Sequence, residues 1–167
     1  MRKEYRHSGR QRQNERGQAE PKPLNPLAVM DDQEKASLFP RKKHILVVDD
    51  EPAVLEMTKT MLERIGYGVT ASADSSIALK VFTENPKGFD LIITDQTMPG
   101  MTGIALAKEI LSIRKDIPII LYSGYSGAVS PEKAKEVGIR EFVLKPVMKK
   151  EMAQTVRRVL KQGENIG

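Results

Sequence analysis

From residue 44 onward the sequence alternates between two kinds of segment, and this alternation constrains its fold more than any other feature. Five short runs rich in apolar and β-branched residues, HILVVDD, YGVTA, FDLIIT, IPIILYS and EFVLK, are each followed by a stretch with helical spacing. In EPAVLEMTKTMLERIG the apolar residues Val54, Met57, Met61 and Ile65 recur at that spacing. Pro52 stands where a first helical turn tolerates proline, and Gly66 where a helix can stop. The methionines of this segment are read as core filler. DSSIALKVFTEN reads as a capped helix with Ile77, Val81 and Phe82 facing inward, and TGIALAKEILSIR as a third helix with Thr102 at its cap. SPEKAKEVG is a short helix opened by Ser130 and Pro131 and closed by Gly138, and VMKKEMAQTVRRVLKQG a final amphipathic helix. Strands this short and this apolar are expected to be covered on both faces. Strict strand–helix alternation predicts an α/β fold with a parallel sheet and right-handed crossovers.

The first 42 residues are different. They are rich in Arg, Gln, Glu and Pro, and EPKPLNPLAVMDD has the prolines of a linker. The expected organisation is a disordered basic tail over 1–42, a single domain over 43–162 and a short tail over 163–167; DDQEKASLF could add one weak turn. The net charge of +5 is mostly in this first segment, with ten Lys and Arg against six Asp and Glu, compared with seventeen against sixteen in the rest. A basic tail can touch anionic partners, but no folded basic reading head accompanies it, so nucleic acid is not the expected partner. There is no Cys, and His7 and His44 are the only histidines, which excludes a disulfide framework and any Cys- or His-rich metal cluster. The N-terminus lacks the apolar core of a secretory signal. No run approaches the roughly 20 apolar residues of a membrane helix. These points together predict a cytoplasmic protein.

In open α/β sheets, sites form beyond the carboxyl ends of the strands, so the residues after each strand matter most. Asp49, Asp50 and Glu51 follow the first strand, Asp95 the third, Ser123 and Gly124 the fourth, and Lys145 and Pro146 the fifth. Each has a bland explanation alone: helix N-terminal acids favoured by the dipole, a turn former, a loop hydroxyl, a surface lysine. Together they bring carboxylates, a hydroxyl and an ammonium to one edge. Clustered carboxylates repel unless a cation neutralises them, and Mg²⁺ is typically held by one or two carboxylates with waters and phosphate oxygens. With Lys145 as a compact positive charge and Ser123 as a hydroxyl donor, the set has the composition of a phosphoryl-transfer site with an Asp nucleophile. Met98-Pro99-Gly100 would turn the loop away after Asp95, and Gly103 would let the next helix begin close by. GMTG lacks the Lys-Ser/Thr of a phosphate-binding P-loop.

LVVDDE, IITDQTMPGMTG, ILYSG and EFVLKP, in this order and spacing, make the sequence resemble the receiver domain of two-component response regulators, over roughly residues 43 to 162. The resemblance implies a flavodoxin-like (βα)5 fold with strand order 2-1-3-4-5. It implies that Asp95 is the phosphoacceptor and that Asp49 and Asp50 are the acidic pair holding Mg²⁺, with the backbone carbonyl of Thr97 completing the metal site. Ser123 matches the Ser/Thr switch position, Lys145 the lysine that binds the phosphoryl group, and Phe142 the aromatic switch residue, which without the resemblance reads as plain core. Lys145-Pro146 matches a cis peptide of the family. Gln96, Thr97 and Tyr125 stand where receivers vary.

The function implied is a bacterial phosphorelay switch rather than an enzyme. A sensor histidine kinase or phosphotransfer protein would phosphorylate Asp95, and a face made by the fourth helix, fifth strand and fifth helix would engage a partner or a second copy. No histidine stands where a kinase would need one. Few residues follow Lys161, so no output domain is expected. A detached receiver of a hybrid sensor kinase, acting as a phosphate sink or relay, is the alternative within the family. A metal-dependent phosphohydrolase is the rival of another class, although such enzymes carry a second acid where this chain has Thr97.

Overall fold

The computed structural model describes Asp31, residues 41–124 and residues 129–164. The expectations for residues 1–40, for the loop containing Tyr125 and for residues 165–167 lie outside this set. The elements run β1 (His44–Val48), α1 (Pro52–Arg64), β2 (Gly68–Ser72), α2 (Ser75–Glu84), β3 (Leu91–Asp95), α3 (Gly103–Ile113), β4 (Ile119–Ser123), α4 (Pro131–Val137), β5 (Glu141–Leu144) and α5 (Lys149–Glu164), with one short 3-10 turn, Pro86–Gly88, between α2 and β3. The five strands form one sheet in the order β2-β1-β3-β4-β5, with every pair parallel. This is the flavodoxin-like order expected from the sequence.

The alternation of side chains along each strand sorts the core into two halves. Ile45, Val47, Leu91, Ile93, Ile120, Tyr122 and Val143 pack on one face with Leu62 of α1 and Met152, Val156 and Val159 of α5. Leu46, Val48, Ile92, Ile119 and Leu121 pack on the other with Phe82 of α2, Leu106 and Ile110 of α3 and Ala134 of α4. Both halves are buried, which explains why the strands read as almost continuous apolar runs. Among the described residues, no helix is long and apolar enough to cross a membrane.

The helix punctuation follows the sequence closely. Pro52 opens α1, and Thr102 Oγ1 and Ser130 Oγ accept the backbone N–H of Ala105 and Lys133 at the starts of α3 and α4. Asp74 caps α2, its Oδ1 accepting from the N–H of Ser76 at 2.7 Å and of Ile77 at 2.9 Å. Gly138 closes α4 with φ +100°, a left-handed conformation that side chains rarely adopt.

Two helical faces differ from the sequence expectation. On α1 the fully buried residues are Thr58 and Leu62, while Met57 is 48% exposed and Met61 only partly buried. On α2 the buried residues are Ser75, Ala78 and Phe82, and Ile77 is exposed. In both helices a small or polar residue takes the inward position that hydrophobicity had assigned to its larger neighbour. The fold also begins slightly before the expected boundary: Arg41 pairs with Asp90 at 2.8 Å.

Replacing the α2 cap, Asp74→Ala, leaves two helix N–H groups without their acceptor. A loss of about 1 kcal/mol of stability is expected, read as a lower denaturation midpoint in urea with unchanged slope.

Candidate functional site

The register of the central strands sets the site. Val48 of β1 pairs with Thr94 of β3, so Asp49 and Asp95 leave adjacent strands side by side. They also share a parity. Asp49 follows Val47, Asp95 follows Ile93 and Lys145 follows Val143, all by two residues, and those three apolar residues face the α1/α5 half of the core. Strand order and pleat therefore deliver two carboxylates and one ammonium to the same edge and the same face.

There they meet. Lys145 Nζ lies 2.9 Å from Asp49 Oδ2 and 2.7 Å from Asp95 Oδ1. Asp49 and Asp95 are only 4% and 5% exposed. The remaining oxygens are used too: Asp49 Oδ1 accepts the N–H of Glu51 at 3.0 Å, and Asp95 Oδ2 accepts the N–H of Thr97 at 2.6 Å. Asp49 thus serves the start of α1 as well as the cluster. Burial alone would push the Lys145 pKa down; the hydrogen bonds to Asp95 and Asp49 outweigh it, and the net movement is upward. The ammonium stays charged between its two carboxylates.

The other expected residues are placed less centrally. Asp50 is half-buried at the rim and does not join Asp49 and Asp95 in a tight cluster. Among the described residues, no three acidic, His or Cys side chains are grouped as a ready metal cage. Ser123 is buried at the end of β4, its hydroxyl donating to the carbonyl of Gly124 at 3.2 Å. It shares parity with Ile119 and Leu121, on the α2/α3/α4 half of the core. Phe142 pairs with Leu121 across β4 and β5 and packs, partly buried, against that same half. The Lys145-Pro146 peptide is cis.

Gln96, expected only as a variable position, has a structural role. It is buried, and its side-chain Oε1 accepts the N–H of Ile104 at 3.1 Å while its carbonyl accepts the N–H of Gly103 at 3.1 Å. Gln96 N–H in turn donates to the carbonyl of Tyr122 at 2.7 Å. One residue therefore ties the end of β3 to β4 and to the first turn of α3. Gly103 completes the joint: a Cβ there would lie 2.2 Å from the Asp95 carbonyl oxygen and 2.6 Å from Leu121 Cδ1. The available signal was a Gln immediately after the strand, eight residues before the position it caps.

A family model for the response regulator receiver domain matches residues 45–157. The chain belongs to the response regulator receiver domain family. It is 32% identical to a two-component response regulator of Arabidopsis thaliana over 75% of this chain and 23% of that protein. It is 32% identical to a probable transcriptional regulator of Cyanidium caldarium over 73% of this chain and 48% of that protein. The receiver thus spans less than half the length of these curated relatives. Among solved structures, a receiver domain protein from Clostridium thermocellum superimposes with a TM-score of 0.71 at 29% identity, covering 75% of this chain and 99% of that one. One from Methanospirillum hungatei gives 0.69 at 30%, covering 76% and 100%. With plant proteins among its relatives, membership in the family does not by itself mark a bacterial protein.

The oxygen-only donor set at the edge fits a hard cation. Two buried carboxylates and a third at the rim, with no His or Cys beside them among the described residues, suit Mg²⁺, which needs only one or two carboxylates, and the set offers nothing that would select a softer metal.

Gln96→Leu removes the acceptor for a buried helix N–H, and a stability loss of about 1–3 kcal/mol is expected, with Gly103→Ala costing at least as much through overpacking. Thermal denaturation of both variants beside wild type checks the order.

Proposed function

We propose that this receiver accepts a phosphoryl group on the Asp95 carboxylate from a phosphohistidine of a sensor histidine kinase or phosphotransfer protein. The observation that carries the reading is the fixed geometry of Asp95: a buried carboxylate at the strand edge, held by Lys145 at 2.7 Å and by the Thr97 N–H at 2.6 Å. In the transfer, the bond between phosphorus and the donor imidazole nitrogen breaks, its electron pair staying on nitrogen, as an Asp95 oxygen bonds to phosphorus. Mg²⁺, which receivers typically use, would be held by Asp49, Asp50, Asp95 and the Thr97 carbonyl, and would supply neutralisation of the phosphoryl charge.

The chain's own residues account for the rest. Lys145 already stands against the Asp95 carboxylate and can pair with a phosphoryl oxygen instead. The Ser123 hydroxyl is spent on a long bond to its neighbour's carbonyl, so turning it to a phosphoryl oxygen forfeits little. Ser123 has the parity of Leu121, the β4 partner of Phe142, so movement of Ser123 would bear on that side of the core. Phosphorylation then favours a conformer already present in the ensemble. The surface that reads the change is the α4, β5 and α5 face, where half-exposed Leu144 lies near the Glu141–Arg158 ion pair of 3.0 Å and where a partner or second copy would dock.

The hydrolase alternative needs a second acid beside Asp95. At the relevant position Thr97 contributes its backbone N–H, which favours a stoichiometric switch over a turnover enzyme.

Incubation with acetyl phosphate and Mg²⁺, read by intact-protein mass, is expected to add one phosphoryl group to wild type and none to Asp95→Ala. Addition that persists in Asp95→Ala, or is absent from the wild type, would overturn the assignment.

A further inference from the structure

Beneath the Asp49–Lys145 pair, between α1 and the start of α5, lies a cavity of about 350 Å³. Its walls are mainly apolar, formed by Val47 and Ile93 of the sheet, Val54 and Met57 of α1, and Met152 of α5. It lies against the α1 face noted above. The inward position holds Thr58, a small residue, while Met57 stands half out of the core. Exposed Met57 and Pro146 stand at the cavity's rim.

Tyr122 also lines this cavity. It is 4% exposed, and among the described residues its hydroxyl is the one fully buried side-chain polar atom without a hydrogen-bond partner. Burial pushes its pKa far upward, and the Glu151 charge adds to this, so the phenol remains a donor throughout the physiological range. Buried donors are rarely left unmade because the loss is not recovered elsewhere. A water in this place would want two to four polar partners, and the apolar walls offer few.

We propose that this cavity is a binding site for a neutral, mostly apolar small molecule carrying one hydrogen-bond acceptor, which the Tyr122 hydroxyl takes. The acceptor answers the unmatched donor. Neutrality follows from the charges present: Asp49 and Lys145 are already committed to each other, and an added charge among Val, Ile and Met would be unpaired. Methionines at both the α1 and α5 walls adapt to irregular shapes. Because Asp49 and Lys145 form one wall, an occupant also changes the rate of phosphoryl uptake; this second part rests on the reading of Asp95 as phosphoacceptor.

The test uses the full chain carrying ¹³C-methyl methionine, titrated with acetophenone, which has an acceptor, and with ethylbenzene, which has none. Met57 and Met152 line the cavity, whereas Met98 and Met101 belong to the opposite core half and serve as internal controls. Acetophenone is expected to shift the Met57 and Met152 methyls saturably and leave Met98 and Met101 in place. Tyr122→Phe, which removes only an unpartnered hydroxyl, should weaken acetophenone about tenfold, as loss of one hydrogen bond does, and leave ethylbenzene unchanged. Val54→Trp, which fills the space, should abolish both. No saturable shift, shifts spread equally to Met98 and Met101, or an acetophenone affinity indifferent to Tyr122→Phe would overturn the site. Saturable binding with no change in the rate of phosphorylation by acetyl phosphate would overturn the second part alone. If no phosphorylation occurs at all, the phosphoacceptor reading fails while the binding result stands on its own.

Discussion

Two carboxylates placed side by side at a buried strand edge repel one another, and the arrangement of the site depends on the cation between them. Asp49 and Asp95 follow paired residues of adjacent central strands, so neither can withdraw without moving the sheet. Lys145 relieves the repulsion from the far end of the chain, reaching both at 2.7–2.9 Å from just beyond β5. Removing one partner from such an arrangement costs more than the arrangement contributes, because a buried charge is left unpaired. A cation is therefore required here whether or not a metal is present. Under the proposed reading, the same requirement would make the site receptive to Mg²⁺ and to a phosphoryl group whose arrival rearranges the charges.

Much of this was legible because a parallel sheet has only two periodicities to read. Five apolar runs alternating with five helical segments gave the sheet, and the residues just beyond the strands gave the edge. The pleat explains more than was extracted from it: Asp49, Asp95 and Lys145 each stand two residues past an inward-facing Val or Ile of the α1/α5 half, while Ser123 has the opposite parity. What was not legible were the helical faces. Of the stripe Val54, Met57, Met61 and Ile65, Met61 and Ile65 pack against the core, but Met57 stands half-exposed and the neighbouring Thr58 takes the inward position. Ile77 fails beside Ala78 for the same reason. A helix's rotation is fixed by what it packs on, and small or polar residues at the contact hide that from a periodicity count.

Gln96 marks a second kind of limit. Polar residues after a strand usually belong to a turn, and nothing in the local sequence says that one will be buried and cap a helix eight residues later. The arrangement becomes intelligible only when Gly103 is seen within contact of the Asp95 backbone. A helix start that close to the site leaves its first N–H groups buried, and each needs an acceptor. Gln96 supplies two, one from its side chain and one from its carbonyl. The loop between them holds Thr97, whose N–H touches Asp95, so the rigidity of this joint determines how firmly the carboxylate is aimed.

The two faces of the sheet also divide the labour at the site. The charged groups belong by parity to the α1/α5 half, which contains the cavity and the unpartnered Tyr122 hydroxyl. Ser123 and Phe142 belong to the other half, toward α4. Tyr122 and Ser123 are consecutive on β4, and the carbonyl of Ser123 accepts the N–H of Lys145 at 2.8 Å. The end of β4 is thus a short path that touches both halves and the lysine at once. A change of charge at Asp95 can reach the α4 side through Ser123, and a change of packing in the cavity can reach Lys145 through the same backbone. Under the proposed reading, the receiver's output and its sensitivity to an occupant of the cavity share this single strand end, so neither can be altered there without consequence for the other.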